Sequence, residues 1–241
     1  YKTDFKTATA NSFLHDDAAM KAAIEYLRAE CVRTGVSGIN LDFENMHATD
    51  AAAYANHVYN LTLAMHDIGV IVSADITRYE KTSATWSMCY DRDRLAQSSD
   101  YIMIMAYDQY YAGSKTAGPV AAINWTEDTI KLTLKEVSAD RLILGVPFYV
   151  RYWESKNNTV TSTKAISMQA AQTLADNNNA AVTYSIADGL YIASWQKNST
   201  ECKMWLENSQ SIDKRKDLGR KHGLAGTAAW RLGLETGDVW Q

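Results

Sequence analysis

The sequence predicts an α/β protein made of parallel βαβ units and closed as a (β/α)8 TIM barrel. Three observations lead there. Apolar runs of strand length alternate with segments of helical periodicity. No glycine-rich phosphate loop joins a strand to a helix, as a doubly wound nucleotide-binding sheet would show. Glu44, Asp75, Asp108, Arg151 and Trp230 fall at the C-terminal ends of successive strands rather than at one switch point.

Taken in order, Tyr1 to Phe5 reads as the tail of a strand. Asp16 or Asp17 can cap a helix whose Met20, Ile24, Leu27 and Cys31 recur at helical spacing, and Gly35 ends it. The stretch Gly35 to Asn45 then alternates apolar and polar residues. As a strand it sends Asn40, Asp42 and Glu44 to one face and Ile39, Leu41 and Phe43 to the other. An entirely polar face suits the inside of a barrel near its open end. Thr49 or Asp50 caps the next helix, with Tyr54, Val58, Leu61 and Met65 on one face. Val70 to Asp75 is the next strand, followed by a short helix near Asp91 to Ala96. Tyr101 to Asp108 is nearly all apolar, as a strand covered on both faces must be. Thr126 opens a helix with Ile130, Leu134 and Val137, Leu142 to Tyr149 is a strand, and Gly223 to Trp230 is the last. The rhythm breaks at 154–207, read as an α+β insertion between barrel strands 7 and 8, with a helix at Met168 to Leu174 and strands at Ala181 to Tyr184, Leu190 to Trp195 and Cys202 to Leu206. The domain is thus 1–241, a barrel incomplete at its N-terminus and running from the end of strand 3 through strand 8. The chain opens without an initiator methionine, so the missing strands are expected upstream. Alone, such a segment is expected to be poorly soluble, and with the barrel complete, a monomer.

Composition narrows the function. The formal charge of −4 gives no electrostatic reason for nucleic acid as partner, and no apolar run is long enough for a membrane segment. Cys31, Cys89 and Cys202 are odd in number and far apart, and the five histidines form no metal-binding pair, so buried thiols and neither metal nor cofactor are expected.

Asp42 and Glu44, two apart on one strand, share a side at roughly 6.6 Å along it. Two carboxylates flanking a scissile bond from opposite faces cannot be made from such neighbours, which sets aside the ordinary retaining and inverting glycosidase schemes. Proximity disfavours joint ionisation, so Glu44 suits a general acid and Asp42 a group that orients a nucleophile supplied by the substrate. The plainer alternative is that such acids cap the following helix or bind a metal. Asp75 could contact substrate or cap a helix. Met105, Tyr107 and Trp230 could be packing, and Arg151 a surface ion pair. Tyr110, Tyr111, Trp125 and Trp153 could extend a cleft or be core.

The segment Ser37-Gly-Ile-Asn40-Leu-Asp42-Phe-Glu44 resembles the DGxDxDxE signature of glycoside hydrolase family 18, the chitinase-like family. Met105-Ala-Tyr107-Asp108 is similar to its MxYD element, Val146-Pro-Phe-Tyr149-Val-Arg151 to its strand-seven segment, and Trp230-Arg-Leu-Gly to its strand-eight tryptophan. These four motifs come in the family's order and cover essentially the whole chain. The wording around Asn40 and Trp230 is most similar to the bacterial branch of spore-cortex-lytic and cell-wall N-acetylglucosaminidases. The resemblance implies a retaining, substrate-assisted hydrolysis of N-acetylglucosamine-containing polysaccharide, peptidoglycan or chitin, through an oxazolinium intermediate. Glu44 would be the acid/base, Asp42 would hold the acetamido group, Tyr107 would bond its carbonyl and Asp108 would fix a distorted sugar. Asn40 would support Asp42, while Met105, Tyr149, Arg151, Asp75 and Trp230 would contact substrate. Ser37 and Asn40 replace the pattern's first two aspartates. Asparagine can hydrogen-bond Asp42 but cannot share its proton. A non-catalytic carbohydrate-binding protein is the reading from another class, and retention of Glu44 argues against it. Secretion to a cell wall or spore is expected, although no signal sequence is visible in this stretch.

Overall fold

Helices α1 (Thr7–Leu14) and α2 (Asp17–Thr34) open the computed structural model, which describes residues 6–241; the strand tail expected at Tyr1 to Phe5 lies outside the described residues. Asp16 caps α2 by accepting from the Ala19 N–H at 2.9 Å. Gly35 closes it in the left-handed region, φ 68°, with its N–H on the Cys31 carbonyl. The chain divides into two compact units, one of residues up to Met105 with Lys131–Ile143, the other of Ala106–Ile130 with Leu144–Gln241.

In the first unit, β1 (Gly38–Leu41), β2 (Ile71–Thr77) and β3 (Tyr101–Met105) pair in parallel in that order. A Cβ on Gly38 would meet Ile71 Cγ1 at 2.8 Å, so glycine is what lets β1 approach β2 at this register. The strand is shorter than the periodicity suggests. Asp42 and Glu44 lie past its last residue, although they continue its alternation. Between β1 and β2 runs α3 (Ala51–His66), whose expected face of Tyr54, Val58, Leu61 and Met65 is fully buried. Asp50 precedes it but does not cap it. Its carboxylate instead accepts from the Asn11 side chain at 3.0 and 3.1 Å, which fastens α1 to the start of α3. Phe13 completes that junction, edge-on to the His57 ring at 5.1 Å. Burial there lowers the His57 pKa to about 4. The short helix α4 (Arg92–Ser98) takes its cap from Asp91 and leads into β3.

Helix α5 (Ile123–Thr133) and strand β4 (Leu142–Pro147) carry the chain across the unit boundaries. The strand expected to reach Tyr149 stops at Pro147. The Phe148 N–H goes to the Trp230 carbonyl at 2.8 Å, and from Tyr149 the backbone pairs elsewhere. It enters β5 (Tyr149–Lys156), which with β6 (Thr159–Ser167), β7 (Ala181–Ser185), β8 (Leu190–Lys197) and β9 (Thr200–Leu206) makes an antiparallel sheet of order β6-β5-β9-β8-β7. Asn157 and Asn158, φ 49° and 62°, turn β5 into β6, since asparagine tolerates the left-handed conformation that tight hairpins need. Helix α6 (Met168–Asn177), capped by Ser167, lays Ala171 and Ala175 against Val150, Ala193, Met204 and Leu206 of the sheet. Helix α7 (Ser209–Lys221) then precedes β10 (Gly226–Trp230), which lies beside β4.

Helix α7 has little apolar signal, and its anchor is ionic. Arg215 and Glu207, both nearly inaccessible, form a two-pronged pair at 2.7 and 2.8 Å. Ser211 donates to the same carboxylate at 2.6 Å, and Arg215 also donates to the Ala121 carbonyl. Asn208 and Ser211 complete a reciprocal capping box at the helix start.

Candidate active site

The acids expected to do chemistry meet in the first unit. Register sets Asn40 opposite Ser73 and Leu41 opposite Ala74, where β1 ends, and the charge of Asp42, the next residue, acts on Asp75. Asn40 Nδ2 donates to Ser73 Oγ at 2.9 Å and to Asp75 Oδ1 at 2.8 Å. An amide nitrogen has two hydrogens, so both are committed to β2 and the expected bond from Asn40 to Asp42 is replaced. Asp75 is not a helix cap, a role Asp91 takes for α4. It is 7% exposed and held by Asn40.

The segment beyond β1 is fixed through its backbone. The Tyr90 hydroxyl donates to the Phe43 carbonyl at 2.7 Å, and the Phe43 ring stacks on Tyr54 with centroids 5.0 Å apart. Met46, just after, is fully buried. Asp42 and Glu44 therefore project from a clamped stretch, and Asn45 leaves it in the left-handed region at φ 54°. Tyr54 and Tyr90 are supports that the motif did not reveal. Tyr54 was visible only as one of four residues on a helical face, and Tyr90 carried no periodic signal.

Electrostatics follow from this crowding. Burial raises the Asp42 pKa. Burial pushes Asp75 up to about 7, against the pull of the Asn40 hydrogen bond and with the charges of Asp42 and Glu44 adding to the rise. Tyr54 is pushed well above the phenol range by burial first and then by the charges of Asp75 and Asp42, and Tyr90 by burial first and then by Cys89 and Tyr54, with Glu44 and Asp42 adding less. Among the described residues no three His, Cys, Asp or Glu side chains converge as a metal-ligand set. A groove between α2 and α3, lined by Met20, Ile24 and Asn60 among others, includes none of these acids. Met105 ends β3 opposite Thr77 and is 8% exposed.

The second unit gathers another group of expected site residues. Asp108, φ 58°, accepts from the Tyr149 hydroxyl at 2.5 Å and from Arg151 Nη2 at 3.2 Å. Arg151 is buried within β5, not at the surface, and its guanidinium lies over Trp153 at 5.9 Å. Burial, then the Asp108 charge, raises the Tyr149 pKa. Trp230 stands at the end of β10, 45% exposed, edge-on to Tyr149 at 5.2 Å and tilted to Tyr107 at 6.3 Å. Such an indole can offer a face to a ring-shaped ligand. Trp153 cannot, being fully buried with its indole N–H on the Gly118 carbonyl at 2.8 Å. Tyr110 packs on that same core, while Tyr111 is exposed.

The family model for glycosyl hydrolases family 18 matches residues 2–235. The chain belongs to glycosyl hydrolases family 18. Members of family 18 are glycosidases, enzymes that hydrolyse glycosidic bonds. The uncharacterized glycosylase YvbX of Bacillus subtilis (strain 168) is 24% identical over 99% of the chain and 69% of its own length. The cortical fragment-lytic enzyme of the same organism is 25% identical over 98% of the chain, which spans little more than half, 56%, of that enzyme. Among solved structures, the chitinase from Chromobacterium violaceum ATCC 12472 matches with a TM-score of 0.85 at 24% identity, over 93% of the chain and 70% of that protein. The likeness shows the α/β fold of the family 18 chitinases. No helix among the described residues is long and apolar enough to cross a membrane.

Proposed function

We propose that the chain is the catalytic part of a retaining β-N-acetylglucosaminidase that cleaves bacterial cell-wall or spore-cortex peptidoglycan with help from the substrate's own acetamido group. The observation that carries this reading is the one-sided set of acids, with Asp42 and Glu44 projecting from the clamped end of β1 beside buried Asp75. Acids on one side of a bond leave the attack on the anomeric carbon to a nucleophile within the substrate. Glu44 protonates the glycosidic oxygen and then activates water. Asp42 orients the acetamido group and stabilises the positive charge of the oxazolinium intermediate. Tyr107 bonds the acetamido carbonyl, Asp108, held by Tyr149 and Arg151, fixes the sugar's shape, and Trp230 stacks on its apolar face. Asp75 and Met105 complete the contacts to the sugar. Strands β1 to β4 and β10 are read as strands of a (β/α)8 barrel, with the antiparallel sheet and α6 as an insertion, and the site of action as the cell wall or spore. The name of the cortical fragment-lytic relative supports the peptidoglycan substrate. The likeness to a chitinase structure favours chitin as the second reading.

Release of reducing ends from spore-cortex peptidoglycan and from chitin oligomers by the intact protein tests this. Peptidoglycan is expected to be preferred in kcat/KM by at least about tenfold, the scale of a few good contacts. Preference for chitin would move the substrate, and binding of glycan without release of sugar from either would end the enzyme reading. A product formed first as the α anomer would exclude substrate assistance.

A further inference from the structure

Arg92, the first residue of α4, is 4% exposed, and its ion pair with the half-exposed Glu136 is a long one at 3.9 Å. Burial works against its charge, and among the described residues its Nε has no hydrogen-bond partner. The rest of the guanidinium serves the segment between β2 and α4. Nη2 donates to the Thr77 carbonyl at 2.9 Å and to Ser87 Oγ at 3.1 Å, and Nη1 donates to the Tyr90 carbonyl at 3.4 Å. The cation also lies over the rings of Tyr79 and Tyr90, 5.4 and 5.8 Å from their centroids. A buried charge that is costly to keep thus fixes Tyr90 both by its backbone and by its ring.

Tyr90 reaches the acids through one planar unit. Its hydroxyl donates to the Phe43 carbonyl at 2.7 Å, and that oxygen lies in the same peptide plane as the nitrogen and Cα of Glu44. Fixing the oxygen therefore fixes where the Glu44 side chain starts. Tyr54 does the same one acid earlier and more loosely, its hydroxyl 3.5 Å from the Leu41 carbonyl in the plane that leads to Asp42. The two phenols act where the β1–β2 register has stopped, at Leu41 opposite Ala74. Both rings are buried and meet edge-on at 6.4 Å, which keeps each hydroxyl on its carbonyl. We propose that Tyr90 is the positioning residue for Glu44, aiming its carboxyl at the glycosidic oxygen through the Phe43–Glu44 peptide, and that Arg92 holds Tyr90 to that task. The inference rests on the reading of Glu44 as the general acid. Neither Tyr90 nor Arg92 makes or breaks a bond, and their effect is on geometry, where a misplacement of about 1 Å can lower a rate on the order of 10²-fold.

The test compares intact wild type with Tyr90→Phe, Arg92→Met and Ser211→Ala on two glycosides of the same N-acetyl sugar, one with a sugar and one with nitrophenol as leaving group. A sugar alkoxide needs the proton of Glu44 to depart, whereas nitrophenolate leaves without it. Ser211→Ala removes a buried hydroxyl that donates to Glu207 and measures the effect of loosening the fold alone. Tyr90→Phe is expected to lower kcat/KM at least about tenfold on the sugar glycoside and to stay within about threefold of wild type on the nitrophenyl glycoside. Arg92→Met should show the same discrimination, and Ser211→Ala should lower the melting temperature without any. Equal losses on both substrates in Tyr90→Phe, or no loss on either, would overturn the proposal. That variant loses a single oxygen, so it decides even where Arg92→Met does not fold. A folded Arg92→Met that behaves as wild type would overturn the part given to Arg92. Carboxyl-carbon NMR titration of Glu44 reads its placement without turnover. The titration midpoint should move by at least about half a unit in Tyr90→Phe and stay in place in Ser211→Ala, and a Glu44 unmoved in both would overturn the proposal. Wild type that cleaves neither glycoside would defeat the glycosidase reading instead, and the titration alone would then decide whether Tyr90 places Glu44.

Discussion

Glu44→Gln is expected to lower kcat on peptidoglycan by roughly 10³-fold while KM stays within about threefold, the pattern of a proton transfer lost from the transition state alone. Glutamine matches glutamate in shape, and the backbone that carries position 44 is held by Tyr90 on the Phe43 carbonyl and by the Phe43 ring against Tyr54. The substitution therefore removes a transferable proton and little else. A sugar alkoxide is a poor leaving group without it. Asp42→Asn should be milder, since an amide can still orient the acetamido group but cannot offer the intermediate a negative charge. Steady-state kinetics on both variants, with glycan binding measured separately, check the pair. A loss below about tenfold for Glu44→Gln would move the acid role to another residue.

Arg215→Ala is expected to cost about 3–5 kcal/mol of stability, because it strands the Glu207 carboxylate in a buried site. The arginine joins three groups at once: Glu207 through both carboxylate oxygens, the Ser211 carbonyl of its own helix, and the Ala121 carbonyl ahead of α5. Its loss loosens α7 and the segment at Ala121 together. Replacing both charges, Arg215→Met with Glu207→Leu, should return most of the stability, since the pair's desolvation cost disappears with it. Urea denaturation of the two variants distinguishes these outcomes. Equal destabilisation by the single and double changes would show that the hydrogen bond to Ala121, not the ion pair, is what matters.

The parts of the fold that obey one period were legible. Helix α3 announced its buried face at Tyr54, Val58, Leu61 and Met65, and Asp16, Gly35 and Asp91 marked helix ends by chemistry that acts locally. Helix α7 was missed because its fixation is polar, and neither Arg215 nor Glu207 looks buried from sequence. Strand β6 was missed because most of its residues are exposed, so it lacks an apolar alternation, although Asn157-Asn158 before it is a hairpin signal. Phe148 is where the sequence runs on and the structure turns, a choice made by a distant partner, the Trp230 carbonyl. In the site, Asn40, Asp42 and Glu44 were readable from their spacing. The bond between Asn40 and Asp75 was not, since it depends on which strands pair and at what register.

Asp75 also makes the protein a thermodynamic compromise. Its folded-state pKa of about 7 lies above the unfolded value, so the folded form binds more protons between the two. Stability is greatest on the acid side of that window and falls as pH rises through it, by an upper bound on the order of 4 kcal/mol. At pH 8 Asp75→Asn should therefore melt at a higher temperature than wild type, and near pH 4 the difference should shrink towards zero. A buried carboxyl of this kind ties the protein's tolerance of heat to the acidity of its surroundings.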